Sequence, residues 1–186
     1  DCICPSGKDN LCGHRFDKQF GTLPLGYDHK YTYSHFGYNL KATDLQAAVG
    51  CAQLEKFPSF VEKRKENFKR LRAGLESLQD KLILPEPVEN GNPSWFGFLI
   101  TCKEGTDRTE LVKKIEAANI QTRALFAGNL TRHPCFDQIR GSDAYRVIGD
   151  LSVTDRIMSD TFWIGVYPGM TETMIDKMIE VIKASV

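Results

Sequence analysis

Apolar residues recur at helical spacing through Leu45, Ala48, Val49, Ala52 and Leu54, with polar residues between them. Just ahead, Thr43 and Gln46 stand three apart. That is the spacing of a capping box, in which hydroxyl and amide satisfy free backbone N–H groups at a helix start. Pro58 has no N–H to give, so a stop or kink is expected there. Ser59 with Glu62 reads as a second capping box, and Phe60, Val61, Phe68, Leu71, Leu75 and Leu78 resume the helical spacing. The pattern predicts one long, bent helical arm over residues 43–80, of the kind that bridges two domains.

Residues 80–94 are rich in Pro and Gly and read as a connector. Beyond them the period alternates. Trp95 to Thr101 predicts a strand, Asp107 with Glu110 caps a helix running through Ala118, and Ile120 to Leu125 predicts a second strand. Ser152 to Ser159 is expected to be helical and Thr161 to Val166 extended. Pro168-Gly169 marks a turn, and Thr171 caps a last helix carrying Met174, Ile175, Met178, Ile179 and Ile182. The expected class is α/β, more narrowly a small α+β domain over 81–186, with a sheet covered by helices on one face. Residues 1–42 lack a helical period and read as loop with short extended pieces. Tyr27, His29, Tyr31, Tyr33, His35 and Tyr38 crowd this stretch, which suggests a surface that covers something.

Charge narrows the function classes. Lys and Arg together number 24, as do Asp and Glu, so the net charge is zero and nucleic acid is not the expected partner. No run of about 18 apolar residues spans a membrane. No basic-then-apolar leader is visible at Asp1-Cys2-Ile3-Cys4-Pro5, and the absence of a starting Met reads as a fragment or processed product.

Of six cysteines, Cys2, Cys4 and Cys12 form C-x-C-x7-C, and Cys51, Cys102 and Cys135 are scattered. Secreted disulfide scaffolds are shorter and denser in Cys, so a reducing, cytoplasmic location is expected. Thiolates are soft ligands suited to zinc or iron–sulfur centres, and Gly7 and Gly13 allow a loop to wrap around a metal. Three sulfurs are one short of a closed site, and the C-x2-C pairs of zinc sites are missing. Spacing alone leaves two readings open: three metal ligands, or three incidental thiols. His14 is equally a substitute fourth ligand or a solvated loop residue.

Gly37-Tyr38-Asn39, followed by Gln46-Ala47-Ala48, Gly50 and Gln53-Leu54, resembles the G-Y-N…Q-A-A-x-G-x-x-Q-L signature of the sugar aminotransferase and dehydratase superfamily. Ile120-Gln121-Thr122-Arg123 leading to Pro134 is a second match, and Trp163 to Thr171 resembles the family's closing segment. The likeness runs from about Gly26 to the end of the chain. It implies the C-terminal part of a type I aminotransferase fold. The cysteines choose a branch: C-x-C-x7-C before the G-Y-N segment resembles the 3-dehydrases that make 3,6-dideoxyhexose precursors. Ser94-Trp95-Phe96-Gly97-Phe98 and Leu125 to Leu130 are similar to the same branch. Phe96 stands near where ordinary sugar aminotransferases carry His.

The resemblance implies pyridoxamine or pyridoxal 5'-phosphate as cofactor and a 2Fe–2S cluster held by Cys2, Cys4 and Cys12, with a fourth Cys before residue 1. It implies a CDP-4-keto-6-deoxyhexose substrate losing its C3 hydroxyl, an NAD(P)H-dependent iron–sulfur flavoprotein reductase as partner, and a homodimer when full-length. The cofactor is the electron sink. An upstream His, in place of the Schiff-base Lys, moves a proton without forming the covalent link to the cofactor. On the same basis Asn39 is expected to reach the cofactor phosphate, and Phe96, Arg123 and Asn129 the substrate. No catalytic residue is expected within this chain, and the isolated fragment is expected to be inactive. Each assignment has a plainer counterpart: Asn39 as a left-handed turn residue, Arg123 as a surface charge, Phe96 as core. Two other functions stay open, a pyridoxal-phosphate nucleotide-sugar aminotransferase and a non-catalytic metal- or partner-binding fragment.

Overall fold

The computed structural model describes residues 15–33 and 35–186. The chain divides into two compact units, Asp1–Ala48 and Val49–Val186.

The described part of the first unit is loop and turn with one short 3-10 helix, His29–Tyr31, ahead of the first residues of a long helix. Arg15 donates from Nε and Nη2 to Asp28 Oδ2 at 3.0 and 2.7 Å. Tyr31, Tyr33 and Tyr38 are largely exposed. At the start of helix α1 (Asp44–Gly74) the expected capping box is formed. Thr43 N–H donates to Gln46 Oε1 at 2.9 Å, and Gln46 N–H donates to Thr43 Oγ1 at 3.3 Å.

The helix runs without interruption through Pro58, so of the stop or kink expected there the stop does not occur, and the arm is one helix. One missing N–H is outweighed by helical hydrogen bonds on either side. The Ser59–Glu62 box is also absent. Ser59 Oγ instead donates to Lys56 O at 2.7 Å, and Glu62 pairs with Lys65. A hydroxyl inside a helix turns back to the preceding turn because no free N–H faces it.

The second unit is built on a four-stranded antiparallel sheet in the order β1 (Leu82–Ile83), β2 (Gly97–Cys102), β4 (Thr161–Gly165), β3 (Thr122–Ala124). Leu99 pairs with Trp163, and Arg123 pairs with Trp163 from the other side. Strand alternation then sorts the side chains. Phe98, Ile100, Cys102, Phe162 and Ile164 enter the core. There they meet Leu71 from α1 and Leu75 just after it, Leu111 and Ile115 from α2 (Arg108–Ala117), and Ile175 and Ile182 from α4 (Glu172–Ser185). Asp107 Oδ1 accepts from Thr109 and Glu110 N–H, and Thr171 Oγ1 from Met174 N–H, as the sequence predicts. Helix α3 (Ser152–Asp160) contributes no buried side chain. Asn67, 2 % exposed, ties α1 to the segment after β4 by donating Nδ2 to Tyr167 O at 2.9 Å.

Among the described residues no helix is long and apolar enough to cross a membrane.

Candidate functional site

Leu99, Thr101, Arg123, Thr161 and Trp163 project from the sheet face opposite the core. Trp163 packs closely on Gly97: a Cβ there would stand 2.8 Å from its Cε3. Phe96 meets Trp163 edge to face, with ring centroids 5.4 Å apart and planes at 88°. The edge-to-face geometry suits two aromatic quadrupoles, yet Phe96 is 61 % exposed.

A third ring comes from the loop after β3. Phe126 has φ +49, a left-handed backbone that is rare for a bulky side chain, and it is 78 % exposed. Leu99, Leu125, Phe126, Trp95, Phe96 and Trp163 line a cavity of about 390 Å³, and Arg123 lines the adjoining one beside Phe126 and Trp163. The Arg123 side chain makes no hydrogen bond or ion pair among the described residues, whereas Glu86, at the cavity edge, is paired with Arg72.

The loop is held from beneath. Gly128 (φ +59) packs so closely on α3 that a Cβ would stand 2.6 Å from Met158 Cγ. Asn129, 4 % exposed, accepts from Thr131 N–H and Oγ1 at 3.1 and 2.7 Å and donates to Asp155 Oδ1 at 2.6 Å. Arg132 grips the same carboxylate through Nε and Nη2. Those bonds, Arg132 first and Asn129 second, hold the Asp155 carboxyl down at about 2. His133 Nε2 bonds Ala127 O at 2.7 Å.

The expected site residues that the structure describes therefore fall into three places. Phe96 and Arg123 are brought to one exposed face. Asn129 sits beneath it, its carbonyl oxygen fully engaged and its amide bonded to Asp155, which makes it a support of the loop. Asn39 lies in the first unit, exposed, with φ +56. Cys2, Cys4 and Cys12, with His14, lie outside the described residues. Among the described residues no group of three His, Cys, Asp or Glu is arranged to hold a metal. Cys51 and Cys135 are exposed, while Cys102 is buried and desolvation pushes its thiol up to about 11. Asp155 went unmarked in the sequence reading, since nothing local in Thr154-Asp155-Arg156 signals a partner more than twenty residues away.

Comparison with known proteins agrees with this architecture. Residues 16–183 match the model of the DegT/DnrJ/EryC1/StrS aminotransferase family. The chain is 58% identical over 181 residues to the lipopolysaccharide biosynthesis protein RfbH of Salmonella typhimurium, covering 96% of this chain and 40% of that protein. It is 52% identical over 182 residues to dTDP-4-dehydro-2,6-dideoxy-D-glucose 3-dehydratase of Saccharopolyspora spinosa, covering 97% and 38% respectively. Among solved structures, GDP-4-keto-6-deoxymannose-3-dehydratase with a trapped PLP-glutamate geminal diamine superposes with TM-score 0.68 at 25% identity, over 82% of this chain and 39% of that one. The chain thus spans about two fifths of the length of these relatives. With the family match running over nearly its whole length and the sheet and helices of an aminotransferase-fold protein, the chain belongs to the DegT/DnrJ/EryC1/StrS aminotransferase family.

Proposed function

We propose that this chain is the C-terminal part of a pyridoxamine-phosphate and 2Fe–2S dependent dehydrase that removes the C3 hydroxyl of a CDP-4-keto-6-deoxyhexose. The observation that carries the reading is C-x-C-x7-C at Cys2, Cys4 and Cys12, placed before the Gly37-Tyr38-Asn39 segment in a chain 52% identical to a protein named a sugar 3-dehydratase. Three thiolates at one end of the chain suit an iron–sulfur centre completed by one more Cys.

The bound pyridoxamine phosphate supplies the electron sink for loss of the hydroxyl. The chain's own residues bind and orient. Asn39, turned by its left-handed backbone, donates its amide to the cofactor phosphate. Arg123, free of any partner among the described residues, takes substrate phosphate oxygens. Phe96 walls the substrate with an apolar ring where an imidazole would offer a proton. Asn129 holds the loop beside it. The enzyme works in the cytoplasm as a homodimer, receives electrons from an NAD(P)H-dependent iron–sulfur flavoprotein reductase, and has no activity as the isolated chain.

The test is the visible and EPR spectrum of the longest native form, purified without oxygen. A 2Fe–2S signal lost on Cys4→Ser supports the reading. Iron-free protein that turns yellow with pyridoxal phosphate and transaminates replaces it with an aminotransferase.

A further inference from the structure

A larger cavity, of about 630 Å³, lies between the second half of α1 and the connector that follows β1. Phe68, Lys69 and Arg72 stand at helical spacing along its α1 side, with Pro87, Pro93 and Trp95 opposite. The rings of Phe68 and Trp95 join the two sides, their centroids 4.9 Å apart. The charges are unevenly served. Lys65 pairs with Glu62. The Arg72 side chain is only 19 % exposed, yet its partners, Glu86 at 2.5 Å and Glu76 at 3.9 Å, are both exposed. Lys69, one turn from each of these cations, makes no hydrogen bond or ion pair among the described residues.

A guanidinium drawn away from water binds a carboxylate more strongly than an exposed one does. An exposed carboxylate such as that of Glu86 gains little from being held there. Glu86 therefore acts as the chain's own stand-in for a carboxylate that a better ligand displaces. A free acid with an apolar ring adds burial against Phe68 and Trp95 that Glu86, tethered between Pro85 and Pro87, cannot reach. The volume falls within the range of small-molecule sites. Pro85, Glu86 and Trp95 also line the cavity beside Phe96, so the two cavities share a wall. Among the described residues, α1 reaches that wall by the Arg72–Glu86 pair and by Arg64 Nη1, 3.5 Å from Ser94 O. Arg64 Nε and Ser94 Oγ are buried there without a hydrogen bond. A wall tied so lightly shifts when Glu86 is released.

We propose that this groove is an effector site for a small carboxylic acid borne on an apolar ring, with its carboxylate on Lys69 and Arg72 in place of Glu86, and that filling it moves the wall shared with the cavity beside Phe96. The binding half stands on the groove alone. The effector half rests on the reading of the Phe96 face as the substrate side. An effector changes substrate affinity only by binding the two arrangements of the wall unequally, and substrate then changes the affinity of the effector by the same factor.

Calorimetric titration of the longest native form, loaded with its cofactor, tests it with phenylacetate, phenylethanol and acetate as probes. Phenylacetate is expected to bind more tightly than the uncharged alcohol or the ringless acid. Lys69→Gln weakens it by roughly threefold, the scale of one exposed ion pair. Glu86→Gln removes the internal competitor and tightens it by a similar factor, a gain that general loosening of the fold would not give. Saturating phenylacetate shifts CDP affinity measurably, and CDP shifts phenylacetate affinity by the same factor. Phenylacetate that fails to bind, or binds no better than phenylethanol or acetate, overturns the site. Unaltered phenylacetate affinity in both Lys69→Gln and Glu86→Gln places the acid elsewhere and overturns it too. CDP affinity identical with and without phenylacetate overturns the effector role. Phenylacetate binding in a protein that binds no CDP sinks the substrate reading and, with it, the effector half, while the groove stands.

Discussion

Phe96 and Phe98 are two residues apart, and the sheet gives them different neighbours. Phe98 is 0 % exposed and packs on Phe68 at 5.0 Å, whereas Phe96 is 61 % exposed and touches Trp163 at its edge. Truncating a fully buried Phe in a close-packed core costs about 3–5 kcal/mol, because the transfer energy is lost and a cavity remains. For a unit the size of Val49–Val186, each kcal/mol lowers Tm by about 3–5 °C, so Phe98→Ala is expected to fall by roughly 10–20 °C. Phe96→Ala removes one aromatic edge contact worth about 0.5–1.5 kcal/mol at most, and its exposure puts the loss at the low end. Its Tm falls by only a few degrees. Circular dichroism melts of the two variants under one buffer measure the difference, with urea midpoints as a check. Equal losses in the two variants would refute the assignment of Phe96 to the open face, and with it the place of Phe96 beside substrate.

Two more outcomes follow from individual contacts. Asp155 is held below its usual 3.8, so its native bonds favour the charged form; their contribution is complete above about pH 4 and is lost as pH falls toward 2. Urea midpoints measured from pH 6 down to pH 2.5 should therefore converge for the wild type and Asp155→Asn at the acid end, and a gap that is constant with pH would contradict this. Gly74 ends α1 where α4 approaches: a Cβ would meet Ile179 Cδ1 and lie 2.7 Å from its Cγ1. Gly74→Ala is expected to destabilise by about 1–2 kcal/mol in spite of better helix propensity, with Ile179→Ala in the double variant recovering most of it. A Gly74→Ala protein more stable than the parent would show that α4 yields freely.

The local rules were written in the chain. Caps at Thr43, Asp107 and Thr171 formed as read, because a side chain that satisfies an N–H two or three residues on depends on nothing distant. The strand through Phe98 and Ile100 was legible for the same reason, and the family motifs pointed to Phe96 and Arg123. At Pro58, where a stop or a kink is expected, the chain does not stop but continues as one helix, because a helix already propagating on both sides bridges the gap. The site's working geometry lay beyond sequence. Trp163 reaches Phe96 only through the β2–β4 pairing, and Asp155 reaches Asn129 and Arg132 only because α3 packs beneath the loop. The left-handed backbone of Phe126 is likewise imposed from outside, since no preference of Phe would choose it. Residues close in the chain settle their hydrogen bonds among themselves; residues more than twenty apart meet only where the whole core brings them together.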